Sequence, residues 1–420
     1  MYLTHLSLHN FRNFSRLDLE VPTGPTLLVG ANAQGKTSLL EAIYYLSTFL
    51  SFHAANDRQL INFLAIKEQQ PVARIVADFH LNQTEPPGAP GTRSRRAESH
   101  RIEVRVIQES NGFGGTPRLR KEVLLDGLKR RVSEVVGRFN AVLFLPQMLQ
   151  VIEGSPEERR RYLNLALAQV HPHYAPTLSE YSNALSQRNA LLKQLGERGG
   201  DPSQLTYWDE QVATFGAELI YARIQAVQEL ERLASAAHRD LTRASEVLRL
   251  SYEPSFDPLP QPARQFALPI QAPLDRSGLG LEKIRQGYLE RLTRLHHEEI
   301  ARGVTTTGPH RDELRFLSNG LDLGNYGSRG QARTAMLAMK LAEVDWMKSK
   351  TGQWPVLLLD EVLAELDSQR RVDLIDRLAQ CEQAFLTTTD LDLFSPEFVQ
   401  KATLWQVEGG LIRQEDAAPY

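Results

Sequence analysis

The chain has 420 residues, 42% of them hydrophobic and 24% charged, with a formal net charge of -3. No apolar run approaches the roughly 20 residues of a membrane span, which excludes an integral helical membrane protein, and the length exceeds that of one ordinary domain. The weakly negative whole-molecule field speaks neither for nor against nucleic acid, which local basic patches would have to hold. Met1-Tyr2-Leu3-Thr4-His5 lacks the features of an export signal and the single Cys381 permits no intrachain disulfide, so a cytoplasmic location is expected.

In chain order, Leu6 and Leu8, then Leu17, Leu19 and Val21, alternate in the strand manner, and Leu27-Leu28-Val29 predicts a buried strand. A helical pattern follows from about Thr37, with Leu39, Leu40, Ile43, Tyr44 and Leu46 on one side. Strand-like runs from Ala73 to Leu81 and Ile102 to Ile107 enclose a Pro/Gly/Arg-rich stretch, Thr84 to Arg101, that reads as a solvated hairpin loop. Ser155-Pro156-Glu157-Glu158 combines a capping serine, a proline at the first helical position and a glutamate three residues after the cap, so a helical region starts there. Leu205, Trp208, Val212, Phe215, Leu219, Ala222 and Ala226 then form a stripe at three- and four-residue spacing, suited to packing on another helix. Pro254, Pro258, Pro260, Pro262, Pro269 and Pro273 mark an insert without regular structure, expected to be mobile, before helix resumes near Leu281. Beyond Gly308 helix and strand alternate again, with apolar strands at Val356 to Leu359 and around Ala384 to Leu386. The class is α/β, and no internal repeat is evident.

Three motifs carry chemistry. Gly30-Ala31-Asn32-Ala33-Gln34-Gly35-Lys36-Thr37, followed by Ser38, matches the Walker A pattern between an apolar strand and a helix. Its backbone N–H groups would cradle phosphate oxygens at a helix N-terminus, Lys36 would reach the β- and γ-phosphates, and Thr37 would bind magnesium. Val356-Leu357-Leu358-Leu359-Asp360-Glu361 ends a buried strand in adjacent carboxylates, Asp360 suited to magnesium and Glu361 to orienting the attacking water. Taken alone, such a run is often only a solvated strand end. Ser328-Arg329-Gly330-Gln331 precedes a helix from about Arg333 to Trp346, where exposed N–H groups could receive a γ-phosphate; in isolation it is a plain helix cap. Its place before Asp360-Glu361 is that of the ABC signature motif, and Ala364-Glu365-Leu366-Asp367 resembles the D-loop of that class.

The wide separation of these motifs resembles SMC-like heads, and several segments resemble the RecF family specifically. They are Leu8-His9-Asn10-Phe11-Arg12-Asn13-Phe14, Gly154-Ser155-Pro156-Glu157-Glu158-Arg159-Arg160-Arg161, and Thr307-Gly308-Pro309-His310-Arg311-Asp312-Glu313-Leu314, and the likeness spans nearly the whole chain. The resemblance implies an ABC-type P-loop ATPase head with a mixed sheet at 1–154 and 300–420, and an inserted, mainly helical arm at 155–299 with the Pro-rich insert near 254–280. It implies ATP and Mg2+ as cofactors and Arg12 and Asn13 beside the nucleotide; Gln147 stands where RecF members are expected to carry an acidic residue, and its resemblance to the Q-loop glutamine of ABC proteins implies a magnesium or water ligand. It further implies an ATP-dependent homodimer in which Ser328, Gly330 and Gln331 reach the nucleotide of the other copy. Hydrolysis would be slow and serve as a switch. The partners so implied are double-stranded and gapped DNA, and RecR with RecO, assisting the loading of RecA. A structural SMC-like ATPase of chromosome organisation is the alternative, against which the short insert speaks.

Arg118, Arg120, Lys121, Lys129, Arg130 and Arg131 form the densest basic cluster, with Arg93, Arg95 and Arg96 next; each reads either as a phosphate-gripping patch or as solvated surface. Arg159, Arg160 and Arg161 allow packing against acidic neighbours or a DNA or subunit contact, and His310 and Arg311 allow a structural role or one near the nucleotide. Ala33 stands where the family usually has glycine, so the loop is expected to avoid φ > 0 there. Thr388, Thr389 and Asp390 occupy the γ-phosphate sensor position. Asn164 stands where aspartate is usual, which the sequence does not explain.

Overall fold

The computed structural model describes residues 1–67, 70–82, 98–109, 118–259, 276 and 278–415. Arg93, Arg95, Arg96 and most of the Thr84 to Arg101 and Pro-rich inserts lie outside them. The chain forms two units, Met1–Gln147 with Met347–Tyr420, and Met148–Trp346. No helix among the described residues is long and apolar enough to cross a membrane.

In the first unit the chain begins with β1 (Tyr2–Phe11), β2 (Phe14–Glu20), β3 (Gly24–Val29), β4 (Val72–Leu81), β5 (Glu98–Glu109), β6 (Arg118–Leu125), β7 (Leu128–Arg130) and β8 (Ala141–Phe144). Alternation of apolar and polar residues in β1, β4 and β5 buries one face, and these strands build an antiparallel sheet ordered β2-β1-β4-β5-β6-β7. β3 and β8 are apolar throughout their centres and join the second sheet of this unit, described below. Between the sheets runs the helix Lys36–Thr48, touching β4 on one side and β8, on the other sheet, with Leu39, Leu40, Ile43 and Tyr45 buried.

The second unit contributes β9 (Leu248–Glu253), β10 (Glu313–Ser318) and β11 (Leu321–Asp322), a three-stranded antiparallel sheet ordered β11-β10-β9. Its helices Pro156–Val170, Tyr174–Arg198, Thr206–Leu241 and Leu281–Arg302 pack on one another, and Val212, Leu219 and Ala226 of the expected stripe are buried. The expected division at 155–299 needs correction, since this unit extends to Trp346. The cause is a long-range pairing that local patterning does not reveal: β10 hydrogen-bonds along its length to β9, so the Thr307 to Leu314 motif belongs to this unit.

That motif is a buried polar knot. Arg223 donates to the Pro309 carbonyl (2.6 Å), Asp312 (2.8 Å), Asn164 (3.0 Å) and the Tyr174 hydroxyl (3.1 Å), and Asp312 also receives the Tyr252 hydroxyl and the Ser255 N–H. Burial alone would lower the pKa of Arg223, but Tyr174 and Asp312 outweigh it and hold the charge firmly on. Asn164 is thereby explained: Asp312 already neutralises Arg223, and a neutral acceptor completes the guanidinium's bonding without a second buried charge. Nearby, Arg188 donates to Asp209 and Glu299, all three buried. Arg159 pairs with Glu313 and Arg160 donates to the Asp312 carbonyl, so two of the three consecutive arginines pack inward.

His310 receives a hydrogen bond from Tyr181 at Nδ1 (2.6 Å), and its Nε2 lies 3.3 Å from the Thr305 carbonyl, which fixes a neutral tautomer. Burial, the largest influence, pushes its pKa down to about 4, against which the Thr305 contact is too weak. The unfolded chain takes up this proton near pH 6.5 whereas the folded chain does not, so the stabilisation is complete above that pH and declines as pH falls towards 4. Urea denaturation of wild type and His310→Gln should therefore diverge less at pH 5 than at pH 7, by about 2 kcal/mol. A difference independent of pH would show that the ring is not held neutral.

Returning to the first unit, the chain adds β12 (Val356–Asp360), β13 (Gln383–Thr388), β14 (Thr403–Glu408) and β15 (Leu411–Glu415), completing a mixed sheet ordered β15-β14-β3-β13-β12-β8. β3 lies parallel to β13 and β14, and β12 parallel to β13 and β8. The ends of β3 and β12 carry the two phosphate-site motifs to one edge of this sheet.

Candidate functional site

Residues Gly30 to Lys36 turn from β3 into the helix Lys36–Thr48, whose N-cap is Gly35 with φ 120, a conformation that favours glycine. A side chain at Gly30 would collide with the Val407 carbonyl, and one at Gly35 with Asn13. Asn13 donates to the Gln34 carbonyl (3.0 Å), and Gln34 accepts from the Gly409 N–H (2.7 Å), so flanking segments brace the loop. Since glycine supplies no capping side chain, the first helical N–H groups face outward, the arrangement that receives phosphate.

Ala33 corrects the sequence expectation. It has φ 64, in the left-handed region that the loop was expected to avoid. Closing the turn between Gly30 and Gly35 demands that curvature at this position whichever residue fills it, and alanine bears the strain, on the order of 1–2 kcal/mol.

Lys36, 4% exposed, directs its ammonium to the carbonyls of Gly30 (2.6 Å) and Ala31 (3.2 Å), with Glu361 3.7 Å away. Thr37 donates to the Asp360 carboxylate, whose oxygens lie at 2.9 and 3.0 Å. Asp360 also receives the Thr387 hydroxyl (2.8 Å), and the same hydroxyl accepts the Glu361 N–H (2.9 Å), so one threonine of β13 orients both carboxylate residues. Glu361 has φ 53, an unusual backbone for a non-glycine residue that swings its half-exposed carboxylate over the cleft. Asn13, Asn32, Ala33, Gly35, Lys36, Thr37, Ser38, His53, Gln147, Asp360 and Glu361 line a cavity of about 400 Å³. Its chemistry fits a magnesium nucleotide: a threonine hydroxyl and a carboxylate in contact are the hard oxygen donors Mg2+ takes, beside a lysine and a helix N-terminus for phosphate.

Several expected residues lie elsewhere. Arg12 does not line the cavity; it forms a bidentate pair with Glu41 (2.6 and 2.7 Å) and donates to the Gln59 carbonyl, tying β1 to the helix behind the loop. Asp367 caps the helix Ser368–Leu378 by accepting the Arg370 N–H, a bond that holds its carboxyl below the usual range. Thr388 spends its hydroxyl on the turn to Asp390, while the neighbouring Thr387 touches Asp360. Thr387 and His53 escaped sequence reasoning; a threonine within the apolar β13 was the only available signal for the first, and nothing marked the second. Ser328, Gly330 and Gln331 lie in the second unit, where Ser328 Oγ accepts the Gln331 N–H (3.2 Å) and Gln331 Oε1 accepts the Ser328 N–H (3.1 Å). This reciprocal cap leaves the Ser328 hydroxyl proton available to an acceptor.

Half of the basic cluster is paired with carboxylates. Arg120 pairs with Glu109 and Glu122, Lys129 with Glu122, and Lys121 with Asp57. Arg118, Arg130 and Arg131 are exposed and form no salt bridge among the described residues.

A family model described as the RecF/RecN/SMC N terminal domain matches residues 2–406. A DNA replication and repair protein RecF from Chloroflexus aggregans is 38% identical over 98% of this chain and 99% of its own length. This chain belongs to the RecF family. Another RecF, from Halalkalibacterium halodurans, is 35% identical over 99% of this chain and 100% of its own. The solved structure of the recombination mediator protein RecF-ATPrS in the RecFOR pathway is 29% identical, with a TM-score of 0.77 and 98% of each chain covered. An SmcHead bound to the C-winged helix domain of ScpA, 16% identical with a TM-score of 0.51, shares the fold alone. The RecF fold is thus the expected one: an α/β ABC-type ATPase head with a mixed sheet and a mainly helical insertion.

Proposed function

We propose that the chain is an ATP-driven DNA clamp of recombinational repair. The observation that carries this reading is the joining of Thr37, Asp360 and Thr387 at the mouth of a loop whose Lys36 and helix N-terminus face one cavity. RecF relatives solved with ATP and with ATPrS support the nucleotide. Thr37 and Asp360 would hold Mg2+, which neutralises phosphate charge when bound. Lys36 and the loop N–H groups bind the β- and γ-phosphates, and Glu361, beside Lys36, orients the attacking water for slow hydrolysis. The Ser328 hydroxyl and the N–H of Gly330 complete the nucleotide site of a second copy, so ATP closes a homodimer. DNA is gripped through its phosphates beside single-strand gaps, and RecR with RecO is the partner through which RecA is loaded; cytoplasmic action follows.

Analytical sedimentation of wild type and Ser328→Arg, with and without ATP and with labelled gapped duplex at two salt concentrations, tests this. Wild type should dimerise with ATP and bind duplex in a salt-sensitive way, whereas Ser328→Arg, still binding nucleotide, should remain monomeric. A wild type that stays monomeric with ATP ends the clamp reading, and dimerisation without DNA binding ends its substrate.

A further inference from the structure

The Ser328–Gln331 cap does not stand alone. The Gln331 amide is held at both ends: its oxygen by the Ser328 N–H, its nitrogen by a hydrogen bond to Glu246 Oε1 (3.2 Å). Glu246 is itself fixed, receiving the Ser318 hydroxyl at Oε2 (2.8 Å), with the buried imidazole of His238 3.9 Å from the same oxygen. Without a partner at Nε2, the amide could turn over and present NH2 to the Ser328 N–H, two donors facing each other, and the cap would open.

The segment that presents Glu246 is built under strain. It leaves the C-terminal end of the helix Thr206–Leu241 through Arg243 (φ 51) and Ala244 (φ 61), two adjacent non-glycine residues in the left-handed region. The turn is pinned by the Arg243 and Ala244 N–H groups donating to the carbonyls of Asp240 and Arg239. Beyond Glu246, Val247 and Asn319 exchange hydrogen bonds of 2.9 and 3.0 Å, anchoring the segment to the turn between β10 and β11. Strain of this kind persists only where surrounding contacts enforce it. Here it places a carboxylate against the one side chain that decides whether Ser328 keeps its geometry.

We infer that Glu246 is a positioning residue for the nucleotide-engaging serine: it orients the Gln331 amide and so holds Ser328 ready for the nucleotide of a second copy. This rests on the trans role of Ser328 proposed above. It also makes the end of the long Thr206–Leu241 helix a direct support of the motif that would read ATP.

The test uses full-length Glu246→Ala and Glu246→Gln, the latter keeping an acceptor for Gln331. Hydrogen exchange of the monomer without nucleotide comes first. Exchange at the Ser328 and Gln331 amides should rise about tenfold or more in Glu246→Ala and stay near wild type in Glu246→Gln. Unchanged exchange in Glu246→Ala overturns the inference whether or not a dimer exists. Affinity for a fluorescent ATP analogue, set by Lys36 and Thr37, should be unchanged in both variants. Sedimentation with ATP should show dimerisation weakened about tenfold or more in Glu246→Ala and restored in Glu246→Gln. Wild-type dimerisation by Glu246→Ala, or parallel loss of analogue affinity and dimerisation, would also overturn it. Should wild type itself not dimerise, the trans reading falls, and the exchange result alone decides whether Glu246 sets the cap.

Discussion

Replacing Arg223 by methionine should destabilise the protein by about 3–5 kcal/mol, because it leaves Asp312 as a buried charge without its counter-ion. The guanidinium is 2% exposed at its side chain and Asp312 1%, so water cannot take its place. Tyr252 and the Ser255 N–H would still contact Asp312, which limits the loss but does not neutralise it. Asp312→Asn, which keeps the shape but leaves the buried Arg223 guanidinium without its counter-ion, should cost a comparable amount, and the double variant should cost less than the sum of the two, as expected for residues in one network. Urea denaturation read by tryptophan fluorescence measures all three. A loss below about 1 kcal/mol for Arg223→Met would show that the knot is open to solvent.

The second large effect separates holding a nucleotide from consuming it. Lys36→Met removes the only ammonium that lines the cleft among the described residues and should weaken ATP binding by about a hundredfold or more, in line with the loss of charge-assisted bonds to phosphate. Glu361→Gln should leave binding intact, since the carboxylate stands at the cavity edge, and lower turnover by about 10² to 10⁴ as a lost general base does. Equilibrium binding of a fluorescent analogue and phosphate-release kinetics give the two readings. Turnover unaffected in Glu361→Gln would assign the water to another group.

The phosphate site was legible because its requirements are local: a strand, a glycine-bounded loop and a helix must follow one another, and Gly30 to Thr37 spell that order. Val356 to Asp360 was legible as a strand for the same reason. Contacts between distant segments were not. Glu41, one turn into the helix from Thr37, pairs with Arg12, and nothing in either local sequence announces the pair. Glu122 lies within the basic cluster and pairs with both Arg120 and Lys129, because antiparallel pairing of β5, β6 and β7 brings charges from three strands together. Arg188 and Arg223 sit on helices where arginine ordinarily faces water, and their burial follows only from partners up to 117 residues away. The backbone of Ala33 was misjudged since residue type states a preference, whereas loop closure states a demand.

The sheet order of the first unit also bears on how the protein is made. β3, which carries the phosphate loop, has β13 on one side and β14 on the other, and Asp360 lies 323 residues after Thr37. A ribosome adding about 5–20 residues per second needs about 16–65 s between those two residues. Throughout that interval β3 has neither neighbour available, an apolar strand with both edges open, while the second unit, ending at Trp346, is completed before β12 is made. A chain whose synthesis stops short of β12 lacks the Asp360 carboxylate that meets Thr37 at the nucleotide site. Competence to bind nucleotide thus reports that translation has passed β12.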